Sequence, residues 1–252
     1  MKRIVAIVQA RMSSSRLPNK VLLPLCGKEV LWHVFNQLSY SKMLTDIILA
    51  TSLDPSDDKL ELWAIKNQKK YFRGDLNNVL KRFYDTSRSC DADIIVRITA
   101  DCPLIDPKVV DSVIEKYQSG EYDYVSNTNP PTFPDGLDAE VFSFDSLKEA
   151  YFNAKLKSEL EHVTPFIRNH PEKFRIGNYA SEENHEHLRW TIDNNEDYIL
   201  LSKIFENLFK EELYIDYKKV IQFLEGNKKL LEINSSIKRN EGFEKSLKED
   251  KE

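Results

Sequence analysis

The stretch IVQARMSSSRLPNK, residues 7–20, closes an apolar run with three cations (Arg11, Arg16, Lys20), three adjacent serines (Ser13, Ser14, Ser15) and no glycine. The run before it, Lys2 to Gln9, is rich in Ile and Val. A continuous apolar run of this length is the pattern of a strand buried on both faces of a parallel sheet. A buried strand that ends in cations reads either as a phosphate-binding turn or as a solvated surface loop. Nucleotide-binding turns commonly use glycine, so that backbone N–H groups can approach the phosphates. The first glycine here is Gly27, past the loop, and neither the P-loop nor the dinucleotide fingerprint fits. Phosphate would then be held by side chains, with arginine forks matched to pairs of oxygens and serine hydroxyls as small donors. The position directly after the first strand favours the phosphate reading.

Outward from that loop, strands and helices alternate. Val30, Leu31, Val34, Phe35 and Leu38 repeat at helical spacing, and Asp46 to Ser52 reads as a second buried strand. Asp57 to Gln68 and Asn78 to Ser87 read as helices. Asp93 to Thr99 is a further strand, running into Asp101-Cys102-Pro103. Pro107 to Lys116 is a helix with proline in its first turn, where the missing N–H does no harm. Tyr122 to Ser126 reads as a short strand, and residues 127–136 as a turn-rich loop. Beyond it we expect a strand over Ala139 to Phe144, helices over Asp145 to Ala154 and Glu159 to Asn169, strands over Phe174 to Tyr179 and Leu188 to Ile192, and an amphipathic helix over Asn195 to Phe209. This alternation predicts an α/β fold, a mostly parallel central sheet flanked by helices. Ligands of such sheets bind beyond the C-terminal strand ends. That places residues 10–20 and Asp101 on one edge, some ninety positions apart in sequence.

Several carboxylates fall at strand ends or in loops. Asp101 is placed to hold a divalent metal, since Mg²⁺ takes one or two carboxylates plus substrate phosphates; as a residue before Cys-Pro it is equally placed to cap a turn. Asp193 ends the run LRWTI and could share that metal, or could cap the helix that follows. Asp135, Asp138 and Glu140 in PDGLDAE suit sugar hydroxyls and also suit an ordinary turn. Of the histidines, His162 can face the active edge, His33 sits on the first helix, and His185 and His187 lie in a polar loop.

The bulk composition bounds the rest. The 252 residues are 41% hydrophobic and 31% charged with a net charge of −5, which fits a soluble domain and argues against general nucleic-acid binding. No apolar run approaches a membrane span. The charged and then apolar N-terminus is followed by cations, not by a small-residue cleavage site, and reads as a first strand. Cys26, Cys90 and Cys102 are odd in number and widely spaced, which suggests neither zinc nor a disulfide framework and makes the cytoplasm the expected compartment. Residues 226–252 are rich in Lys and Glu and read as a charged tail, partly helical or disordered, after a domain over 1–225.

Six blocks carry a resemblance: IVQARMSSSRLPNKVL, RGDLNNVLKRF (73–83), RITADCPLIDP (97–107), FPDGLDAEVFS (133–143), EHVTPFI (161–167) and LRWTIDNNEDY (188–198). Together they resemble the SpsF-type spore-coat polysaccharide family, among the cytidylyltransferases that include CMP-Kdo and CMP-sialic acid synthetases. The resemblance implies a GT-A-like Rossmann-type nucleotidyltransferase fold that binds CTP and Mg²⁺, and a homodimer. It implies that Arg11, Arg16 and Lys20 bind the triphosphate. Ala10, Ser13, Gly74, Asp75 and Thr99 would contact the nucleotide, and Asp101, with Asp193, would hold the metal. From their own chemistry, and not from the resemblance, Asp135, Asp138, Glu140 and His162 are read as facing a sugar, acidic-sugar or sugar-phosphate acceptor, with Arg11, Lys20 and Asp101 as the catalytic set. Two alternatives remain at this point. One is a glycosyltransferase using a nucleotide-sugar donor, for which Asp91-Ala92-Asp93 has the required spacing but precedes its strand where it should follow one; the other is an inactive nucleotide-binding module.

Overall fold

The computed structural model describes residues 2–14, 16–211 and 213–251, so Ser15 of the opening loop lies outside the described residues. The first strand, β1 (Ile4–Gln9), lies between β4 (Asp46–Ser52) and β6 (Ile94–Thr99) and runs parallel to both. Its side chains alternate between two layers. Ile4, Ala6 and Val8 pack with Leu31, Val34, Phe35 and Leu38 of α1 (Val30–Leu38), Leu60 and Trp63 of α2 (Asp58–Lys66), and Val110, Val113 and Ile114 of α4 (Pro107–Gln118). Val5 and Ile7 face the other way. They meet Leu80 and Phe83 of α3 (Val79–Ser89), Leu147 of α5 (Phe144–Asn153) and Ile167 of α7 (Pro165–Asn169). Apolar residues at consecutive positions therefore serve two cores, which is why this strand reads as an unbroken hydrophobic run.

A seven-stranded sheet results, in the order β5-β4-β1-β6-β8-β7-β9, with β5 at Lys70–Gly74, β7 at Tyr124–Ser126, β8 at Glu140–Ser143 and β9 at Ile176–Asn178. β8 runs antiparallel to both its neighbours, and the remaining pairings are parallel, as the alternation of elements predicts. The start of β8, Glu140, consequently lies on the same edge as the ends of the parallel strands. A hairpin of β2 (Pro24–Leu25) and β3 (Lys28–Glu29) stands apart from the sheet. The chain leaves β1 for β4 and β5 on one side and returns to β6 on the other, so the sheet's topological switch point lies between β1 and β6, where open α/β sheets bind ligands.

Three expectations need correction, and one strand was missed. Leu188 to Ile192 forms no strand. It is extended, with one parallel bridge from Arg189 to Asp135. Leu188, Trp190 and Ile192 do alternate, but they enter a third core with Leu200, Leu201, Ile204 and Phe205 of α8 (Asn195–Leu208) and Val220 and Leu224 of α9 (Tyr217–Glu225). The helix expected over Glu159 to Asn169 is two, α6 (Lys157–His162) and α7, broken at Val163 with φ 72° ahead of Pro165. The strand expected over Phe174 to Tyr179 is only Ile176–Asn178. β5 was not expected, since KYFRG is a short edge strand with Lys70 and Tyr71 exposed and carries no apolar run. Beyond residue 225, α10 (Glu241–Glu249) lies against α6, with Lys157 paired to Glu249 and Ser158 N donating to Asp250 Oδ1 at 2.9 Å. No described helix is long and apolar enough to cross a membrane.

Candidate active site

A cleft of about 1240 Å³ opens along the C-terminal strand edge. Its floor begins where β1 ends. Ala10 N donates to Ala50 O at 3.1 Å, continuing the sheet for one residue, and Met12 N then donates to Asp57 Oδ1 at 2.7 Å. Asp57 is fully buried and also accepts from Ser52 N at 3.2 Å and Ser52 Oγ at 2.5 Å, so one carboxylate ties the loop's base to the end of β4. Asn19 takes the left-handed conformation (φ 59°), which asparagine tolerates, and turns the chain into the short helical turn that begins at Lys20.

Lys20 is the centre of the site. Its ammonium donates to Asp101 Oδ2 and, at 2.7 Å, to Asp193 Oδ1. Burial works to discharge the lysine, but the two carboxylates outweigh it and its pKa is raised. Asp101 follows β6 by two residues, and its carbonyl accepts from Ile192 N at 2.9 Å. That bond brings the two carboxylates together although they lie 92 positions apart in sequence. Asp193 does not cap α8: the N–H groups of Asp193 and Asn194 go to Asp197 Oδ2, both at 3.0 Å. Its own carboxylate meets Lys20, Arg16 Nη2 at 2.9 Å and Arg189 Nη2 at 2.8 Å. Burial would push its pKa up, yet Lys20, Arg16 and Arg189 hold it down at about 2.

The other loop cations face carboxylates too. Arg16 Nη1 reaches Glu241 Oε2 of α10 at 2.8 Å, and Arg11 Nη2 lies 3.4 Å from Glu161 Oε1 of α6. Arg11, Arg16 and Lys20 thus line one cleft, together with Ala10, Ser13, Ser14, Asp75, Thr99, Asp101 and Asp193. Gly74 stands one residue back, at the end of β5.

The same cleft is lined by Asp135, Asp138, Glu140 and His162. Glu140 is heavily engaged: Arg97 is its ion-pair partner, and Tyr124 OH (2.5 Å) and Thr164 Oγ1 (2.6 Å) both donate to Oε1. It is held ionised against burial mainly by Arg97 and Arg168, and what it offers the cleft is a fixed Arg97. Asp135 accepts from Arg189 Nη1 at 2.8 Å, while Asp138 pairs with Arg239. Burial drives the Asp138 carboxyl up to about 7, with Arg239 opposing and Asp135 and Glu140 adding to the rise. His162 is pushed down to about 4 by burial and by Arg97, so it is neutral near pH 7; its Nε2 is 3.0 Å from Ser246 Oγ of α10.

Sequence reasoning missed the arginines that organise these carboxylates. Arg189 alone joins Asp135, Asp193 and Asp197. Its signal was a single cation in a segment with three acids, LRWTIDNNED. Arg239, from beyond residue 225, left no such signal.

No group of three or more His, Cys, Asp or Glu that could hold a metal occurs among the described residues. A two-carboxylate site completed by phosphate oxygens does fit. The oxygens of Asp101 and Asp193 already converge on one cation, the Lys20 ammonium, and hard carboxylate oxygens suit Mg²⁺.

A Rossmann-type sheet with cations and paired carboxylates at its switch point is suited to binding a nucleotide. The chain belongs to the cytidylyltransferase family, whose model matches residues 5–238. It is 36% identical to an uncharacterised protein of Methanocaldococcus jannaschii, over 94% of this chain and 96% of that one. It is 34% identical to the spore coat polysaccharide biosynthesis protein SpsF of Bacillus subtilis, over 82% of this chain and 88% of that one. Among solved structures, a cytidylyltransferase from Leptospira borgpetersenii superposes with a TM-score of 0.87 at 32% identity, covering 95% of this chain and 100% of that chain.

Proposed function

We propose that the chain transfers CMP from CTP to an oxygen of a sugar, acidic-sugar or sugar-phosphate acceptor, releasing pyrophosphate, in the biosynthesis of a surface polysaccharide. The convergence of Arg11, Arg16 and Lys20 with Asp101 and Asp193 on one cleft carries this reading. The acceptor oxygen attacks the α-phosphorus and the bond to the β-phosphate oxygen breaks. Such transfers need positioning and charge neutralisation more than covalent help. Arg11, Arg16 and Lys20 bind the triphosphate and neutralise the departing pyrophosphate. Asp101 and Asp193 would hold Mg²⁺, which would supply Lewis-acid neutralisation of the phosphate charge. Arg189 fixes Asp193 and Asp135 at once, so the proposed metal-holding carboxylate and the proposed acceptor carboxylate are held by one guanidinium. Asp135, Asp138 and Arg97 supply acceptors and donors for a polyhydroxylated, anionic sugar. Lys20 and Arg16 exchange carboxylate partners for phosphate when nucleotide arrives.

The glycosyltransferase alternative loses its motif. Asp93 accepts from Arg3 N at 2.7 Å at the start of β6, the end of the strand opposite the cleft. The proposed reading places the enzyme in the cytoplasm with its nucleotide and, by resemblance, as a homodimer, which light scattering reads directly. The deciding experiment mixes purified protein, Mg²⁺ and each of CTP, UTP, ATP and GTP with a panel of acidic sugars and sugar phosphates, and measures pyrophosphate. Release that requires CTP and one acceptor is expected. Stabilisation by a nucleotide sugar with no pyrophosphate from any pair would overturn the reading.

A further inference from the structure

Arg82 is a guanidinium the mechanism above leaves unused. It sits on α3, 1% exposed, and lines the nucleotide side of the cleft with Ala10, Arg11, Asp75 and Asn78. Among the described residues its side chain makes one hydrogen bond, from Nη1 to Asp75 O at 3.0 Å, and Nε is sealed from solvent without an acceptor. The nearby carboxylates are already engaged. Asp57 serves Met12 and Ser52, and Asp75 Oδ1 accepts from Asn77 N and Asn78 N, both at 2.8 Å. Lys20, Arg16, Arg97, Arg189 and Arg239 each have a carboxylate partner; Arg82 has none among the described residues. Burial, with Arg11 adding to it against Asp57 and Asp75, brings its pKa down to about 10, so it stays charged near pH 7. A buried charge with an unfilled donor edge is destabilising unless a ligand supplies the acceptors. The position is also prepared for it: a Cβ on Gly74 would come within 3.1 Å of Arg82 Cγ, so glycine at the end of β5 makes room for the arginine stem.

Resting on the CTP reading, we propose that Arg82 reads the base, its Nη2 amino group, which no described acceptor takes, donating to O2 and N3 of the cytosine ring. Cytosine presents those two acceptors side by side, within reach of one amino group that carries two hydrogens. Uracil places an N3–H donor where cytosine has an acceptor, so the same amino group that binds cytosine repels uracil.

Calorimetry on wild type, Arg82→Met and Arg82→Lys with CTP, UTP, cytidine and pyrophosphate tests this. Met keeps the stem over Gly74, and Lys keeps the charge without the Nη2 amino group. For both variants CTP and cytidine affinity should fall, by roughly 10- to 100-fold for Arg82→Met. Pyrophosphate affinity should hold, and the preference for CTP over UTP should collapse. Unchanged CTP affinity in a folded Arg82→Met protein overturns the assignment. So does a loss seen with pyrophosphate but not with cytidine, which would make Arg82 a phosphate ligand. If Arg82→Met does not fold, Arg82→Lys decides: full CTP-over-UTP preference in that variant refutes base reading. Wild type that binds no CTP refutes the cytidylyl reading itself, a result distinguishable from failure of Arg82 alone.

Discussion

Lys20 sits where two carboxylates would otherwise repel each other, and this fixes what each substitution there should do. Removing the ammonium leaves Asp101 and Asp193 facing each other partly buried, so Lys20→Met should lose CTP affinity and stability together. Asp101→Asn is the cleaner probe, because it keeps the shape and one hydrogen-bonding oxygen for Lys20 while removing a charge. We expect pyrophosphate release to fall by at least about 100-fold, with the CTP Kd changing far less. Turnover near wild type in Asp101→Asn would remove that carboxylate from the catalytic set.

At the level of elements, two features join pieces that sequence reading treats separately. Gly136 has φ 107°, and a Cβ there would lie 2.7 Å from the Trp190 carbonyl carbon, so the loop holding Asp135 and Asp138 can approach the Arg189 segment only with glycine. Gly136→Ala should cost about 3 kcal/mol or more through strain and overpacking, lowering Tm by roughly 6–12 °C. A Tm within a degree of wild type would show that the loop relaxes freely. His33 of α1 carries a pH dependence. Burial among Phe205 and Phe209 pushes it down to about 4, against the bond of its Nε2 to Leu25 O (2.8 Å) and the charge of Glu29, with Lys28 adding to the fall. Between pH 6.5 and 4 the unfolded chain binds a proton there that the folded chain refuses. This contribution is therefore full above about pH 6.5 and is lost as pH falls toward 4, up to roughly 3 kcal/mol. In denaturant titrations at pH 7 and pH 4.5, His33→Phe should lose less stability than wild type over that interval; equal losses would mean that His33 is protonated in the folded chain. Elements were legible where one physical signal dominated. β1 and β6 announce themselves because both faces are buried. LRWTI shows the same alternation, but its apolar residues answer to α8 and not to a sheet. β5 is quiet because edge strands need little apolar surface. Arg82 and Arg239 look in sequence like solvated helix and tail cations, and only packing reveals what surrounds them.

Across the whole molecule, the segment after residue 225 bears on the residues proposed above to face the acceptor. Asn234 Nδ2 donates to Arg189 O at 3.0 Å and to Asp197 Oδ1 at 2.8 Å, bracing the arginine that joins Asp135 to Asp193. Farther on, Arg239 pairs with Asp138 and donates to Phe133 O at 3.2 Å, Glu241 meets Arg16, and Phe243 stacks edge-on to His162. A chain ending at Lys238 keeps the Asn234 brace and removes the rest. Asp138 then loses its counter-ion, and its carboxyl, already at about 7, is driven higher and neutralised. Arg16 loses a competing carboxylate, so triphosphate binding should hold or tighten. We therefore expect the truncated protein to bind CTP at least as well as wild type and to release pyrophosphate with an acceptor KM raised at least about tenfold. Arg239→Ala in the full chain should reproduce much of that KM effect without the tightening, because Glu241 remains on Arg16. A parallel loss of CTP binding and acceptor turnover on truncation would mean that the segment serves stability alone. An unchanged acceptor KM would place the acceptor elsewhere in the cleft, away from Asp138.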